Sequence, residues 1–204
     1  EDVGQHHFKS LAPPDQGCTI CHDMKNKEVL HSPVREGPCT VCHDPHGSDY
    51  AKVLVADPAK GLCQKCHPQA DYGKKTFVHG ALTSGSCNTC HESHSAAQPK
   101  LWKQAPWNLC TGCHKQMIHK PGEALSTHAP AKDNCMACHD PHASNLKNEL
   151  KQAAPDLCLS CHKNLKESLA NSSVVHGAMK QEGSCSNCHV SHFSKLQKLL
   201  KQPQ

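Results

Sequence analysis

Sixteen cysteines form eight copies of one pentapeptide, Cys-x-x-Cys-His, and no cysteine lies outside them. The pairs are Cys18 with Cys21, Cys39 with Cys42, Cys63 with Cys66 and Cys87 with Cys90. Then come Cys110 with Cys113, Cys135 with Cys138, Cys158 with Cys161 and Cys185 with Cys188. Each pair is followed at once by a histidine: His22, His43, His67, His91, His114, His139, His162 and His189. Two thiols at this spacing add across the vinyl groups of a haem, and the adjoining imidazole ligates its iron. Zinc ribbons do not need a histidine after every second cysteine, and disulfide scaffolds show varied spacings. Only 19 of 204 residues are histidine, so eight such placements by chance are excluded. Eight covalently attached haems c are therefore expected, one per about 25 residues.

Eleven histidines lie outside the motifs, and sixth iron ligands must come from them. Four motifs carry a longer frame, as in His31-Ser-Pro-Val-Arg-Glu-Gly-Pro-Cys39-Thr-Val-Cys42-His43-Asp-Pro-His46. Upstream histidines recur at His31, His79, His128 and His176, downstream ones at His46, His94, His142 and His192. Repeated offsets beside haem motifs point to ligands rather than solvated surface residues. A downstream histidine three residues past its proximal one cannot reach round its own haem. His46, His94 and His142 are thus expected to serve the haems at Cys63, Cys110 and Cys158. The framed haems are expected to take His31, His79, His128 and His176. The Cys18 haem then needs His6 or His7, and His192 is left with no haem in its own chain. One of these end groups is expected to reach a haem in an adjacent subunit or to stay exposed. His119 is the remaining histidine.

Framed motifs alternate with plainer ones introduced by Leu62-Cys63, Leu109-Cys110 and Leu157-Cys158. First cysteines of successive framed motifs lie 48, 48 and 50 residues apart. The Cys18 motif, preceded by Pro14-Asp-Gln-Gly17, reads as a framed motif lacking its downstream histidine. One elongated domain is expected, built of two-haem repeats at 31–78, 79–127 and 128–175. An atypical segment, 1–30, precedes them and a half repeat, 176–204, follows. The final Lys198-Leu-Leu-Lys-Gln-Pro resembles the linker before a plain motif.

What must position these groups is a chain with little core of its own. Leu, Ile, Val and Phe total 32 residues and aromatics seven, below what a globular core needs. Flat apolar porphyrins would replace that core, so folding is expected to depend on haem attachment. Fourteen prolines and 12 glycines break up the chain and disfavour β-ladders. The expected fold is mostly irregular with short α-helices and little or no β. Helices are expected through the motifs and beyond them, for example over 156–169 and 195–201.

The polypeptide carries a formal charge of +4. Eight haems with ionised propionates move this to about −4 when ferric and about −12 when ferrous, so the basic isoelectric point misleads. Nucleic-acid binding is excluded for want of a basic patch interleaved with aromatics. No run of some 20 apolar residues spans a membrane, and barrel-like alternation is absent. The chain starts at Glu1, so a targeting segment is expected to have been removed. No cysteine remains for an N-terminal lipid anchor. Thioether attachment places the protein outside the cytoplasmic membrane: periplasmic, outer-membrane-associated or extracellular.

The frame at 31–48 and 128–144, followed by Leu-Cys-x-x-Cys-His, resembles the doubled repeat of multihaem c-type cytochromes over nearly the whole chain. That resemblance implies bis-histidine haems in a continuous wire with electron transfer as the activity. It extends to periplasmic cytochromes that plug an outer-membrane porin and to haem-wire filaments. Implied partners are redox proteins at the two ends, a porin, or identical subunits. An electron carrier rather than an enzyme is expected, because histidines suffice to fill every sixth position and no Cys-x-x-Cys-Lys variant occurs. The alternative is a reductase of a small molecule or metal ion with one open haem. Two imidazole donors imply low potentials. Lys195, Lys198 and Lys201 read as a solvated helix face.

Overall fold

The computed structural model describes residues 17–24, 26–68, 72–84, 87–118 and 123–203. Regular structure comes in short pieces, as the proline and glycine content dictates. Among the described residues there are five α-helices: α1 Ser32–Glu36, α2 Gly80–Ser84, α3 Pro106–Thr111, α4 Asp156–Leu159 and α5 Lys163–Asn171. Six two-residue strands are β1 Val29–Leu30, β2 Phe77–Val78, β3 Ser95–Ala96, β4 Ser126–Thr127, β5 Ala143–Ser144 and β6 Phe193–Ser194. The rest is turn, 3-10 helix and irregular chain. The mostly irregular, helix-poor architecture is the one the composition dictates.

Two expectations need correction. The helix over 156–169 is broken: α4 stops at Leu159, and α5 starts at Lys163, after His162 has left helical backbone with ψ 61°. Residues 195–201 are not a helix. They hold a single 3-10 turn at Gln197–Leu199 in which Lys198 is left-handed, with φ 55° and ψ 25°.

The strands form three antiparallel pairs, β1 with β3, β2 with β5 and β4 with β6. The registers are Val29 to Ala96, Phe77 to Ser144 and Ser126 to Ser194. In each pair one strand directly precedes an upstream histidine and the other directly follows the next repeat's downstream histidine. The ladders thus join one repeat to the next. Contacts divide the chain into two units, Glu1–Pro68 with Ser84–Gln104, and Gln69–Thr83 with Ala105–Gln204. The first contains β1 and β3; the second contains the other two ladders.

Among the described residues the only buried apolar side chains are Ala96 and Ala143, both in the ladders. Their small size lets two backbones approach, and Ser95, Ser144 and Ser194 are buried beside them. Larger apolar groups stay exposed, Ile20 at 68% and Leu125 at 74% among them. The described residues by themselves enclose no hydrophobic core, and about 25 cal/mol per Å² of apolar burial is forgone wherever such groups face water.

Candidate functional site

Every motif folds into the same tight turn, closed by the first cysteine's carbonyl. That carbonyl accepts a hydrogen bond from the second cysteine's N–H and another from the histidine's N–H. The Cys21 N–H donates to Cys18 at 3.3 Å, Cys42 to Cys39 at 3.2 Å, Cys66 to Cys63 at 3.2 Å and Cys90 to Cys87 at 3.2 Å. Cys113 donates to Cys110, Cys138 to Cys135, Cys161 to Cys158 and Cys188 to Cys185, each at 3.3 Å. The histidine N–H bonds are shorter, 2.9 Å for His22 and 3.0 Å for His43 and His189. Both thiols and the imidazole therefore project from a single turn, as attachment to one flat ligand requires.

The two cysteines of a motif, alike in sequence as haem anchors, are not alike in their surroundings. Of the second cysteines, Cys21, Cys66, Cys113, Cys161 and Cys188 are exposed, while Cys42, Cys90 and Cys138 are half-buried. Of the first, only Cys39 is exposed, and Cys18, Cys63, Cys87, Cys110, Cys135, Cys158 and Cys185 are half-buried. The polypeptide leaves Cys21, Cys66, Cys113, Cys161 and Cys188 accessible for thioether formation.

A second device orients the histidines of the framed motifs. The Nδ1–H of His43 donates to the Lys52 carbonyl at 2.9 Å, and that of His91 to Lys100 at 2.8 Å. His139 donates likewise to Asn148 at 2.7 Å and His189 to Lys198 at 2.8 Å. Each acceptor lies nine residues downstream and is left-handed, with φ of 61°, 55°, 59° and 55°. That conformation costs a non-glycine residue about 1 kcal/mol or more. It turns the carbonyl onto the ring, fixes the proton on Nδ1 and leaves the Nε2 lone pair for a metal. At Lys52, Asn148 and Lys198 the turn is held by a serine two residues after the downstream histidine, a position that Ala96 takes ahead of Lys100. The Ser144 hydroxyl donates to the Leu150 carbonyl at 2.5 Å, the Ser194 hydroxyl to Leu200 at 2.6 Å, and Ser48 makes the same bond to Leu54. Sequence reasoning missed these supports, although the fixed offset of nine residues was there to be read.

The ladders position the remaining imidazoles. The N–H of His31 donates to the His94 carbonyl at 2.9 Å, His79 to His142 at 2.9 Å, and His128 to His192 at 2.8 Å. The Nδ1–H of His31 also donates to the Ser93 carbonyl at 3.0 Å, and that of His128 to Ser191 at 3.1 Å. An upstream histidine thus stands beside the downstream histidine of the next repeat, with the rings of His31 and His128 fixed from the backbone.

Five pairs of imidazoles then face one another at one separation. Ring centres are 6.0 Å apart in His31–His67, His43–His94, His79–His114 and His139–His192, and 6.1 Å apart in His128–His162. Interplanar angles run from 11° to 24°. Two metal–nitrogen bonds of about 2 Å, each extended by about 1.1 Å from nitrogen to ring centre, put centroids about 6 Å apart. Each pair joins one motif histidine to one outside the motifs.

These are not the partners expected from sequence. The upstream histidines His31, His79 and His128 meet the plain motifs at Cys63, Cys110 and Cys158, not their own framed ones. The downstream His94 and His192 meet the framed motifs at Cys39 and Cys135. His192 therefore has a partner in its own chain. His142 packs against the Tyr72 ring at 5.0 Å. His46 and His176 are brought to no motif histidine among the described residues, and His22 and His189 face no second imidazole there. His6, His7 and His119 lie outside the described residues.

Electrostatics favour neutral ligands. Burial, then the charges of His43 and His31, hold His94 below the ordinary histidine range. Burial, then His139 and His128, do the same for His192. Burial and the adjoining Cys87 push the Cys63 thiol up to about 11, and burial with Cys185 pushes Cys158 up to about 11. Burial, then the neighbouring Cys66, also raises Cys42, and burial with Cys161 raises Cys138. The first cysteines of a plain and the following framed motif therefore lie side by side in both units.

The residues fit haem c. Single-turn Cys-x-x-Cys-His units supply paired thiols, the imidazole gap matches an axially ligated metal, and Nδ1 is protonated by design where the backbone captures it. A family model for the doubled CXXCH motif matches residues 31–72, 79–119 and 128–167, more than half of the chain. The chain belongs to the doubled CXXCH motif family. It is a multihaem c-type cytochrome with covalently bound haem c, involved in electron transfer. No curated protein matches it. No helix among the described residues is long and apolar enough to cross a membrane.

Proposed function

We propose that the protein is an octahaem electron conduit in which bis-histidine ligation keeps iron closed to substrates. The five imidazole pairs at 6.0–6.1 Å carry this reading. When bound, haem c supplies an iron that exchanges one electron without gaining or losing a ligand. His43 and His94 would hold the haem at Cys39 and Cys42, and His67 and His31 that at Cys63 and Cys66. His114 and His79 would serve Cys110 and Cys113, His139 and His192 Cys135 and Cys138, and His162 and His128 Cys158 and Cys161.

The chain's own residues keep reorganisation small. Backbone carbonyls lock the rings of His31, His43, His91, His128, His139 and His189, so none swings when the iron changes charge. The strand pairs fix two distal ligands side by side, so consecutive sites are built as one piece. Low potentials follow from two imidazole donors. Thioether attachment favours an exported protein, and the ends of the haem chain favour redox proteins as partners.

The test is the purified holoprotein. Eight haems by pyridine haemochrome and mass are expected. The five at Cys39, Cys63, Cys110, Cys135 and Cys158 should be low-spin and inert to cyanide, and rapid mixing should show electrons accepted and passed on without ligand exchange. Cyanide binding at any of those five would favour a reductase and overturn the proposal.

A further inference from the structure

We infer that the residue two places ahead of a downstream histidine sets the reduction potential of the haem which that histidine ligates. An aspartate there, as at Asp140 ahead of His142, lowers the potential. A valine, as at Val190 ahead of His192, leaves it higher. The inference rests on the bis-histidine ligation proposed above.

The four framed motifs continue in two ways. Asp44-Pro45-His46 and Asp140-Pro141-His142 alternate with Glu92-Ser93-His94 and Val190-Ser191-His192. One backbone arrangement carries all four. The N–H of Asp44 donates to the Val53 carbonyl at 2.7 Å, and that of Glu92 to Leu101 at 2.7 Å. Asp140 donates likewise to Glu149 at 2.8 Å and Val190 to Leu199 at 2.8 Å. The side chain at this position therefore leaves the chain from an equivalent place in each repeat.

Where it is aspartate, its carboxylate is tied to the histidine. Asp44 Oδ1 accepts the His46 N–H at 2.9 Å and lies 3.6 Å from His46 Nδ1. Asp140 Oδ1 accepts the His142 N–H at 2.9 Å and lies 3.9 Å from His142 Nδ1. Neither approach to the ring is a hydrogen bond, so the carboxylate acts on it as a charge through space. A negative charge there favours the ferric site over the ferrous one, and the haem becomes harder to reduce. One electron is exchanged, with no ligand or proton gained or lost.

The surroundings of His192 are of the opposite kind. Burial, then the charges of His139 and His128, disfavour positive charge on it, and among the described residues no carboxylate opposes them. His94 is intermediate: burial, then His43, His31 and Lys52, act in the same direction, and Glu92 acts against them. Screening sets the size of the effect. The His142 side chain is 36% exposed against 94% for His46, so Asp140 acts through less water than Asp44. Over about 8 Å a unit charge shifts a one-electron equilibrium about twofold under bulk-water screening and about thirtyfold under that of a protein surface. About tenfold is expected for a partly exposed carboxylate.

Potentiometric titration of the holoprotein, resolved haem by haem through the methyl signals of its ferric haems, tests this. Asp140→Asn keeps an oxygen for the His142 N–H and loses only the charge. One haem should become easier to reduce, its ferric-to-ferrous ratio falling about tenfold at fixed potential, which is about 59 mV. Asp140→Glu, which keeps the charge, should stay near the wild type. Val190→Asp should make the haem at Cys135 harder to reduce by a similar factor, and should shift nothing in a Cys135→Ala/Cys138→Ala background. An Asp140→Asn protein whose midpoints all hold, or all move alike, overturns the inference. So does one in which a haem turns high-spin, since Asp140 would then hold the ring rather than tune it. A haem at Cys135 that Val190→Asp leaves unmoved or makes easier to reduce overturns it as well. Should Val190→Asp fail to fold, the Asp140 variants decide alone. A high-spin haem at Cys135 in the wild type would instead refute the bis-histidine ligation itself.

Discussion

His94→Ala gives the sharpest test of which histidine serves which haem. His94 faces His43 at 6.0 Å, so the substitution should open the haem at Cys39 and no other. The His31 N–H bonds to the main-chain carbonyl of residue 94 and its Nδ1 to that of Ser93, both of which the variant keeps. The His31–His67 pair should therefore survive, and the variant should lose one low-spin haem and gain one cyanide site. Because the β1–β3 ladder is main chain throughout, the cost beyond the lost ligand should stay within about 1 kcal/mol. The decisive step repeats the substitution in a Cys39→Ala/Cys42→Ala background, which lacks that haem. Two changes acting on one site are not additive, so His94→Ala should there produce no high-spin haem. A high-spin haem that still appears would show that His94 ligates another site, and the pairing read from ring geometry would be wrong.

Three other outcomes follow from the same contacts. Lys100 is left-handed at φ 55°, so Lys100→Gly should stabilise the turn by up to about 1 kcal/mol and Lys100→Val should destabilise it by about 1–2 kcal/mol, read by denaturant titration of the haem band. Ser144→Ala leaves the Leu150 carbonyl and Leu146 N–H without their bridge and should cost about 1–3 kcal/mol in the same titration. His94 and His192 have folded pKa values below the unfolded one, so protons bind the unfolded chain more readily; stability should hold above about pH 6.5 and fall as pH drops from there toward the folded values, with an acid-induced loss of low-spin haem as the readout. Flat stability down to strongly acidic pH would contradict that sign.

Much of the site was legible because its chemistry is local. Five contiguous residues carry two thiols and an imidazole, and their turn closes on its own first carbonyl. Scarcity of Leu, Ile, Val and Phe likewise announced a fold without a polypeptide core, which two buried alanines now represent. The left-handed turns at Lys52, Lys100, Asn148 and Lys198, serine-braced at all but Lys100, were less legible. They are built from ordinary surface residue types, and only their constant offset from histidine marks them. The unequal exposure of paired cysteines, Cys21 against Cys18 or Cys188 against Cys185, was not legible either, because it depends on what packs beside each turn.

The sequence by itself determined which atoms can attach and ligate haem and that they recur in a two-motif register, since these follow from residue type and short spacing. Which imidazole opposes which was decided only in three dimensions. About 35 residues of chain let His31 reach either its own motif or the next, and spacing alone prefers neither. The two-residue ladders decide it: with His31 hydrogen-bonded to His94 and His128 to His192, the His31 and His128 rings face the histidine of a neighbouring motif.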